Sequence, residues 1–293
     1  MKIGFIGAGK MGFTLGKHLK EYEKHHEDSG FCVMGYYSQT LDSAKEAARF
    51  TDTNYYESMD ELAEVCDAIF LTVPDGQIQT VSDMIAGGNV SLAGKALVHT
   101  SGALSSRVFS GMGNRVSGYS IHPIYAVNSK TESYLHFQDC FITIEGEGAY
   151  TEQFVDLFQK LGHTVRHISA EHKAKYHASA VFVSNLVIGL YAMGSDLLTQ
   201  CGFSPTEAEQ ALLPLFANNA ENMQRVGMQE ALTGPVSRCD IKTVEKHLQA
   251  LGQDAETVYR CLSKRLIPLA CSGKEMDEEY NRLLQILQGD IEV

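Results

Sequence analysis

The sequence begins with KIGFIGAGKMG at residues 2–12, and this stretch decides the fold of its first half. The residues before the glycines predict a short buried strand, and those after them predict a helix that continues to about Leu19. In this context Gly7 allows a tight turn, Gly9 lets a pyrophosphate approach the backbone, and Gly12 lets helix and strand pack closely. The helix N-terminus adds N–H donors and a positive dipole. The stretch therefore predicts a dinucleotide-binding loop made of Gly7, Ala8, Gly9, Lys10, Met11 and Gly12.

Short apolar runs alternate with helical patterns through the rest of the first half. This alternation is typical of a Rossmann-type α/β domain, a mostly parallel sheet with helices on both faces. After Ser169 the sequence consists of long segments rich in Ala, Leu, Glu and Gln, which predict an all-α C-terminal domain. The predicted domains are therefore residues 1–169 and 170–293. The predicted strands are Lys2–Ile6, Cys32–Tyr37, Ala68–Val73, Ala96–His99, Val116–Ile121, Cys140–Ile144 and Thr164–Ile168.

Composition limits the classes of partner. The formal net charge is −12, so the chain offers no general positive field for nucleic acid or an anionic membrane. No uninterrupted apolar run approaches the roughly 20 residues that span a bilayer. The 7 cysteines show no zinc-site spacing, and we interpret them as reduced thiols in a cytoplasmic protein. We expect a small-molecule substrate, with no nucleic acid and no membrane among the partners.

The end of the second strand bears on the choice of cofactor. An acid at this point would bind the ribose 2′-hydroxyl of NAD, but the chain continues as Ser38, Gln39 and Thr40 after Tyr37. The missing carboxylate and the two hydroxyls favour NADP, with NAD as the alternative because Gln39 is neutral and no arginine stands here. Alternatively, Ser38–Thr40 is simply the N-cap of the next helix.

Three further strand ends supply candidate binding residues, because ligands of open parallel sheets lie beyond the carboxyl ends of the strands. Val73 and Pro74 follow one strand and are assigned to the cofactor. Ser101 and Gly102 follow another, and their hydroxyl and N–H groups suit a substrate oxygen, with Ser101 also beside the cofactor. His122 follows a third strand. The alternative is that these residues only shape their turns.

The first helix of the second domain carries a polar line. At 100° per residue Lys173 and His177 lie on one face, Ser184 returns to that face, and Asn185 flanks it. A hydride transfer to a carbonyl needs a proton donor for the developing alkoxide and groups that orient the substrate. Lys173 or His177 is the candidate acid and Asn185 the candidate orienting group. Alternatively, Lys173 is a solvated first-turn residue and Asn185 a core amide.

The segment LTGPVSRCD at residues 232–240, followed by His247, completes a set of motifs. The others are the GxGxxG loop with its TVPD and HTSG turns and the K-x-x-Y-H…S-N helix. With these motifs the chain resembles, over essentially its whole length, the proteins in which a Rossmann-like domain is followed by DUF2520. Two positions depart from that family's pattern: Cys239, where glycine is usual, and Gln39, where arginine is common.

The architecture is also similar to that of 6-phosphogluconate, pyrroline-5-carboxylate and ketopantoate reductases. That resemblance implies that Lys173 and Asn185 act at the substrate. On physical grounds Arg238, beside the turn of Thr233 and Gly234, suits bidentate binding of a substrate carboxylate. The alternative is an ion pair with Asp240 that makes the motif structural.

These observations predict an NADPH-dependent reductase of a small 2-oxo acid, with a ketopantoate-like substrate. Two alternatives remain open: a reductase of cyclic imino acids of the pyrroline-5-carboxylate type, and a non-catalytic dinucleotide-binding sensor. Segments such as Glu207–Met223 carry more apolar positions than a small helical domain needs, so we expect a homodimer built on the C-terminal helices.

Overall fold

The computed structural model of the protein describes residues 1–273 and 275–289. The chain forms two compact units, Met1–Ser184 and Asn185–Val293. The domain boundary expected after residue 169 lies earlier in the chain than this division, before the last helix of the first unit.

An eight-stranded sheet forms the centre of the first unit, in the strand order β3-β2-β1-β4-β5-β6-β7-β8. Every neighbouring pair is parallel except β6 and β7, which are antiparallel. The predicted fold class is therefore confirmed. The strands are β1 (Lys2–Ile6), β2 (Cys32–Tyr37), β3 (Asn54–Tyr55), β4 (Ala68–Leu71), β5 (Lys95–His99), β6 (Val116–Pro123), β7 (Phe141–Glu145) and β8 (Thr164–His167).

Alternation along the strands builds one core on each face of the sheet. Phe5 and Phe70 pack into the larger core, while their neighbours Ile69 and Leu71 pack into the other. The helices that cover the two faces are α1 (Lys10–His25), α2 (Leu41–Thr51), α3 (Met59–Val65), α4 (Asp75–Ala86) and α5 (Thr151–Lys160), and α6 (Lys173–Val183) ends the unit.

Helix α1 is longer than the sequence pattern predicted. It continues past Leu19 to His25 through a strongly polar segment. Ion pairs on the helix surface explain the extension: Lys17 bonds Glu21 at 2.7 Å and Lys20 bonds Glu23 at 3.0 Å. Pairs three and four residues apart stabilise a helix whose residues are otherwise solvated.

The second unit is helical, as predicted. Its helices are α7 (Asn185–Gln200), α8 (Pro205–Ala231), α9 (Ile241–Ala250), α10 (Gln253–Ala270) and α11 (Glu278–Gln288). Its core contains Val244, Leu248, Ile267 and Leu283, all nearly inaccessible. Helix α8 begins with a capping box of Ser204 and Glu207 and is broken at Gly227, where φ is 83°.

The expectation of one continuous helix from Lys173 to Asn185 is wrong. Ser184 has φ −121° and ψ −80°, so α6 ends one residue before it. The Ser184 hydroxyl donates to the carbonyl of Ala180 at 2.7 Å, a local bond that competes with regular helix geometry.

The sequence contains no uninterrupted apolar run of about 20 residues, but average hydropathy along the helices identifies one apolar segment. By length and composition this segment of the described chain, Ala170–Gln200, is long and apolar enough to cross a membrane, with a mean hydropathy of 1.6 over its best window. Glycine, tyrosine and serine interrupt the apolar residues, so no single run stood out. One such segment is weak evidence of a membrane span. Its exposure, with only 6% of the window buried, instead leaves a large apolar surface to be explained.

Candidate active site

Two glycines of the first loop are required by the protein itself. Gly7 has a φ of 108°, and a side chain there would meet the carbonyl group of Thr72 at 2.9 Å. A side chain at Gly12 would meet the carbonyl oxygen of Gly7 at 2.6 Å. The Thr72 hydroxyl donates to that same oxygen at 2.8 Å and fixes the turn. Turn geometry and helix–strand packing therefore account for Gly7 and Gly12.

Gly9 is different, because nothing in the protein excludes a side chain there. Its φ is −82°, and a Cβ would meet only the Thr72 carbonyl oxygen at 3.7 Å, an ordinary contact. Gly9 is also the N-cap of α1 and offers no side chain to the first N–H groups of the helix. An open approach to unsatisfied helix N–H groups fits an anionic pyrophosphate. The residues present therefore fit a dinucleotide.

A cavity of about 540 Å³ extends from this loop. The described residues that line it carry no charge. Of the predicted cofactor residues, Lys10, Met11 and Gly12 lie in the first turn of α1 and do not line the cavity. Neither do Thr40, the N-cap of α2, and Ser101, which follows β5. The lining includes Gly7, Ala8, Gly9, Tyr37, Ser38, Gln39, Ser43, Met59, Thr72, Val73, Pro74, Gln77 and Met84.

The turns after β4 and β5 are tied together beside this cavity. Ser101 donates from Oγ to a carboxylate oxygen of Asp75 at 2.6 Å. The same Oγ accepts from the backbone N–H groups of Ala103 and Leu104, and the Ser101 N–H donates to Nδ1 of His99 at 3.2 Å. Ser101 is thus held on all sides, and the residue after it, Gly102, has a fixed position.

Lys173 lies beneath this turn and is only 2% exposed, so it is not a solvated first-turn residue. Its Nζ donates to the carbonyl oxygen of Ser101 at 2.9 Å and to Oγ of Ser120 at 2.6 Å. Burial lowers the pKa of Lys173 to about 8, against the opposing effect of the Glu145 and Asp75 carboxylates. An amine with this pKa both holds the turn and exchanges a proton near neutral pH.

Two histidine rings converge on Gly102. A Cβ on this glycine would lie 2.6 Å from Nδ1 of His177 and 2.8 Å from Nε2 of His122. Nδ1 of His177 is buried and has no hydrogen-bond partner among the described residues. A buried nitrogen without a partner is costly, which marks Nδ1 of His177, beside Gly102, as a candidate contact for a ligand.

A hydrogen-bonded chain supports His122 from behind. Oγ1 of Thr143 donates to the hydroxyl of Tyr176 at 3.0 Å, and that hydroxyl lies 2.6 Å from Nδ1 of His122. Burial, with the nearby charge of Lys173 as a smaller cause, lowers the pKa of His122 to about 3. His122 is therefore neutral at physiological pH.

The predicted residues Ser101, Gly102, His122, Lys173 and His177 thus come together in the first unit. Sequence reasoning missed their supports. Tyr176 lies inside the K-x-x-Y-H motif, next to His177, and that position was an available signal. Thr143 and Ser120 had none, since each lies in the middle of a strand and not at its end.

The remaining predicted residues belong to the second unit. Gly234 turns the chain with a φ of 94°, beside the exposed Thr233 and Arg238. Asp240 accepts from the backbone N–H of Thr243 at 3.1 Å and caps α9. Among the described residues no ion pair joins Asp240 to Arg238. Asn185 is the first residue of α7 and is exposed.

Solved structures share this fold. TM1727 from Thermotoga maritima is 24% identical, with a TM-score of 0.72 over 93% of this chain and 100% of its own. BF3122 from Bacteroides fragilis, a proposed NADP oxidoreductase, is 24% identical, with a TM-score of 0.65 over 91% and 97%. Plasmodium falciparum pyrroline carboxylate reductase, solved with NADP bound, is 16% identical, with a TM-score of 0.54 over 99% and 98%. At these identities the likeness establishes the fold.

No curated protein sequence matches the chain significantly. Two family models do. The model of the Rossmann-like domain matches residues 1–123, and the model of a domain of unknown function, DUF2520, matches residues 140–266. The resemblance inferred from the motifs is confirmed: the chain combines a Rossmann-like domain with a DUF2520 domain.

Proposed function

We propose that the protein is a dinucleotide-dependent reductase that uses NADPH to reduce a small 2-oxo acid of ketopantoate-like size. One observation carries the proposal. The loop in which Gly9 is left open for a pyrophosphate adjoins, through the Asp75–Ser101 bond, a turn where the nitrogen atoms of Lys173 and two histidines gather. Several solved structures of this fold are named reductases, which supports the same class.

The residues of the first unit can carry the acid–base part of such a reaction. A bound reduced nicotinamide supplies a hydride to the carbonyl carbon, and the carbonyl oxygen then needs a proton. In this proposal Lys173 or His177 gives that proton and Gly102 positions the oxygen. Ser101, which was predicted to share that role, instead donates its hydroxyl to Asp75 and its N–H to His99 and holds the turn. Arg238, with Thr233 and Gly234, is proposed to bind the carboxylate, and Asn185 to orient the substrate.

The proposed preference for NADPH rests on the neutral lining at Ser38, Gln39 and Ser43. A neutral, hydroxyl-rich lining accepts a 2′-phosphate without repulsion, whereas an acid would favour NAD. Dissociation constants for NADPH and NADH test this preference, and equal or tighter binding of NADH would defeat it. Gln39→Arg should strengthen binding of NADPH alone by about tenfold, the effect of one charge-assisted hydrogen bond.

A second candidate is reduction of a cyclic imine. The names of four solved structures favour it: three pyrroline carboxylate reductases and an imine reductase share this fold. An NADPH-coupled screen over 2-oxo acids and cyclic imino acids separates the two candidates. Binding of NADPH without turnover of any of them would support a sensor and contradict a reductase.

Three substitutions test the proposed roles on whichever substrate is found. Lys173→Met, which keeps the volume of the buried chain, should lower kcat by roughly 10² to 10⁴, the usual contribution of a positioned acid. Arg238→Ala should raise KM and leave kcat nearly intact, because a clamp used equally in ground and transition states affects binding alone. If His177→Ala abolishes turnover while Lys173→Met does not, His177 is the acid.

We also propose a cytoplasmic homodimer built on the C-terminal helices. Helix α8 exposes Leu213, Leu215, Phe216 and Met223, each at 45% or more. An apolar surface of this kind on a folded protein marks an interaction site. Light scattering at micromolar concentration tests the proposal, and a monomeric mass would contradict it.

A further inference from the structure

Thr143 and Tyr176 lie behind His122, on the side away from Gly102. With His122 their side chains form a line of three polar groups that ends beside Gly102. None of the roles assigned so far uses Thr143 or Tyr176. Both are partly or fully buried, so their hydroxyl groups are placed by the fold rather than by solvent.

The direction of the hydrogen bonds in this line determines which ring nitrogen of His122 carries the proton. Oγ1 of Thr143 has one proton and two acceptors within reach, the Tyr176 oxygen at 3.0 Å and the His122 carbonyl oxygen at 3.2 Å. When Thr143 donates in the shorter of these bonds, the one proton of Tyr176 is directed to Nδ1 of His122. Nδ1 then accepts, and the proton of the neutral ring must be on Nε2. Nε2 is the nitrogen that faces Gly102.

We propose that His122 is a neutral Nε2–H donor for the carbonyl oxygen of the substrate, and that Tyr176 and Thr143 are positioning residues that fix its tautomer. This inference rests on the proposed reductase function and extends it to the kind of atom that is bound. Burial keeps the ring neutral, since the pKa of His122 is lowered to about 3. A neutral donor polarises a carbonyl without giving up its own proton, so His177 or Lys173 remains the acid.

The same polarity bears on the substrate. A carbonyl oxygen accepts, and it can pair with Nε2–H of His122. A protonated imine nitrogen presents only an N–H donor, which would face the N–H of His122 and leave both groups unpaired in a buried site. The arrangement therefore favours an oxo acid over a cyclic iminium.

Gly102 lies beside His122 and His177 and is part of the same proposed binding site. Its φ lies outside the left-handed region, so an alanine would fit the backbone. The added methyl group would nevertheless lie 2.6 Å from Nδ1 of His177 and 2.8 Å from Nε2 of His122, so one or both rings would have to move away from Gly102. Gly102→Ala should therefore remove binding at this point and leave the dinucleotide loop intact. Gly111→Ala is the matched control, because nothing lies within 4 Å of that position.

The test is a long-range ¹H–¹⁵N spectrum of the full-length protein with ¹⁵N-labelled histidine, recorded near neutral pH. We expect His122 to be protonated on Nε2. Tyr176→Phe and Thr143→Val should shift population to the Nδ1-protonated form, whereas Tyr150→Phe, which removes a bond to Gly94 elsewhere in the unit, should not. The reversed chain, in which Thr143 donates to the His122 carbonyl at 3.2 Å, predicts Nδ1 protonation in the wild type and would overturn the proposal.

Two probes then test the ligand, each added with NADP⁺: oxamate, which carries a carbonyl acceptor, and L-proline, which carries a protonated ring amine. Oxamate should shift the Nε2–H resonance of His122 in the wild type and in Gly111→Ala, and should fail to do so in Gly102→Ala. No shift with oxamate, or a shift with L-proline alone, overturns the assignment of a carbonyl. Failure of NADP⁺ to bind to the same sample defeats the reductase function instead and leaves the tautomer result standing.

Discussion

The hydroxyl of Ser101 donates to the carboxylate of Asp75 at 2.6 Å and joins the turn after β5 to the first residue of α4. Asp75 follows Pro74, which lines the cofactor cavity, and Ser101 precedes Gly102, on which the histidines converge. The carboxylate also raises the pKa of Lys173 against the effect of burial. One short bond thus links the cofactor cavity, the histidine pair and the buried amine.

Removing the charge of Asp75 should therefore lower the pKa of Lys173 below about 8. Asp75→Asn keeps an oxygen that accepts from Ser101, so the turn should stay in place while the ammonium loses a favourable charge. Titration of the Lys173 side chain by NMR measures the shift. Asp83→Asn, at the other end of α4, is the control and should have less effect. An unchanged or raised pKa in Asp75→Asn would contradict this electrostatic assignment.

The first and last glycines of the loop should behave differently from the middle one. Gly12→Ala should destabilise the fold by about 1–3 kcal/mol, because the methyl group meets backbone at 2.6 Å. Gly9→Ala should unfold at nearly the wild-type denaturant concentration and yet bind NADPH much more weakly. Urea unfolding and nucleotide titration on the same samples measure both effects. Full nucleotide affinity in folded Gly9→Ala would show that the loop is not the pyrophosphate site.

Cys239 occupies a backbone conformation that explains the glycine usual at this place. Its φ is 50° and its ψ 39°, in the left-handed region that disfavours a side chain. Cys239→Ala and Cys239→Gly lose the same thiol contacts, and only glycine relieves the strain. The Cys239→Gly variant should be more stable than the Cys239→Ala variant by about 0.5–1 kcal/mol. This difference already includes the cost of the greater conformational entropy that glycine has in the unfolded chain. The free energy of unfolding of both variants decides the matter, and a more stable alanine variant would refute the explanation.

A buried histidine pair away from the active site should make stability depend on pH. Nε2 of His18 lies 3.0 Å from Nε2 of His163, whose Nδ1 donates to the carbonyl of Cys140. Burial, with the neighbouring His163 as a smaller cause, lowers the pKa of His18 from 6.5 to about 4. In the unfolded chain His18 therefore binds a proton below pH 6.5, whereas in the folded chain it binds one only below about pH 4.

Stability should accordingly be complete above pH 6.5 and fall as the pH decreases toward 4. His18→Gln should reduce this slope by about one proton, measured by urea unfolding at several pH values. Measurement at pH 8, where the wild-type ring is neutral, separates the titration from any packing cost of the substitution. An unchanged slope in His18→Gln would contradict the assignment.

The elements that could be predicted correctly are those whose structure depends on residues close together in the sequence. The glycine loop, the strands that flank it and the helical second half depend on neighbours in the chain, and their patterns are visible in a short window. Strand β3 was missed because Asn54 and Tyr55 form it only by pairing with β2. The length of α1 was missed because side-chain ion pairs outweigh its poor apolar pattern.

The supports of the candidate site depend on distant parts of the chain, and no short window contains them. Tyr176 reaches His122 across 54 positions, and Lys173 reaches Ser101 across 72. Whether Lys173 is solvated or buried depends on how α6 packs on the turns of the sheet. That packing cannot be inferred from the spacing of residues along a helix, which places Lys173 and His177 on one face but gives no partner for it.

The antiparallel pairing of β6 and β7 sets Ser120 opposite Glu145 and His122 opposite Thr143. Side chains two apart share a face of a strand, so both pairs point the same way. The chain between the strands can therefore gain or lose residues during evolution without moving the site, provided that the register survives. A single residue inserted between Phe141 and Thr143 would turn Thr143 to the other face and place an apolar neighbour behind His122. Tolerance to insertions should thus end abruptly at Phe141.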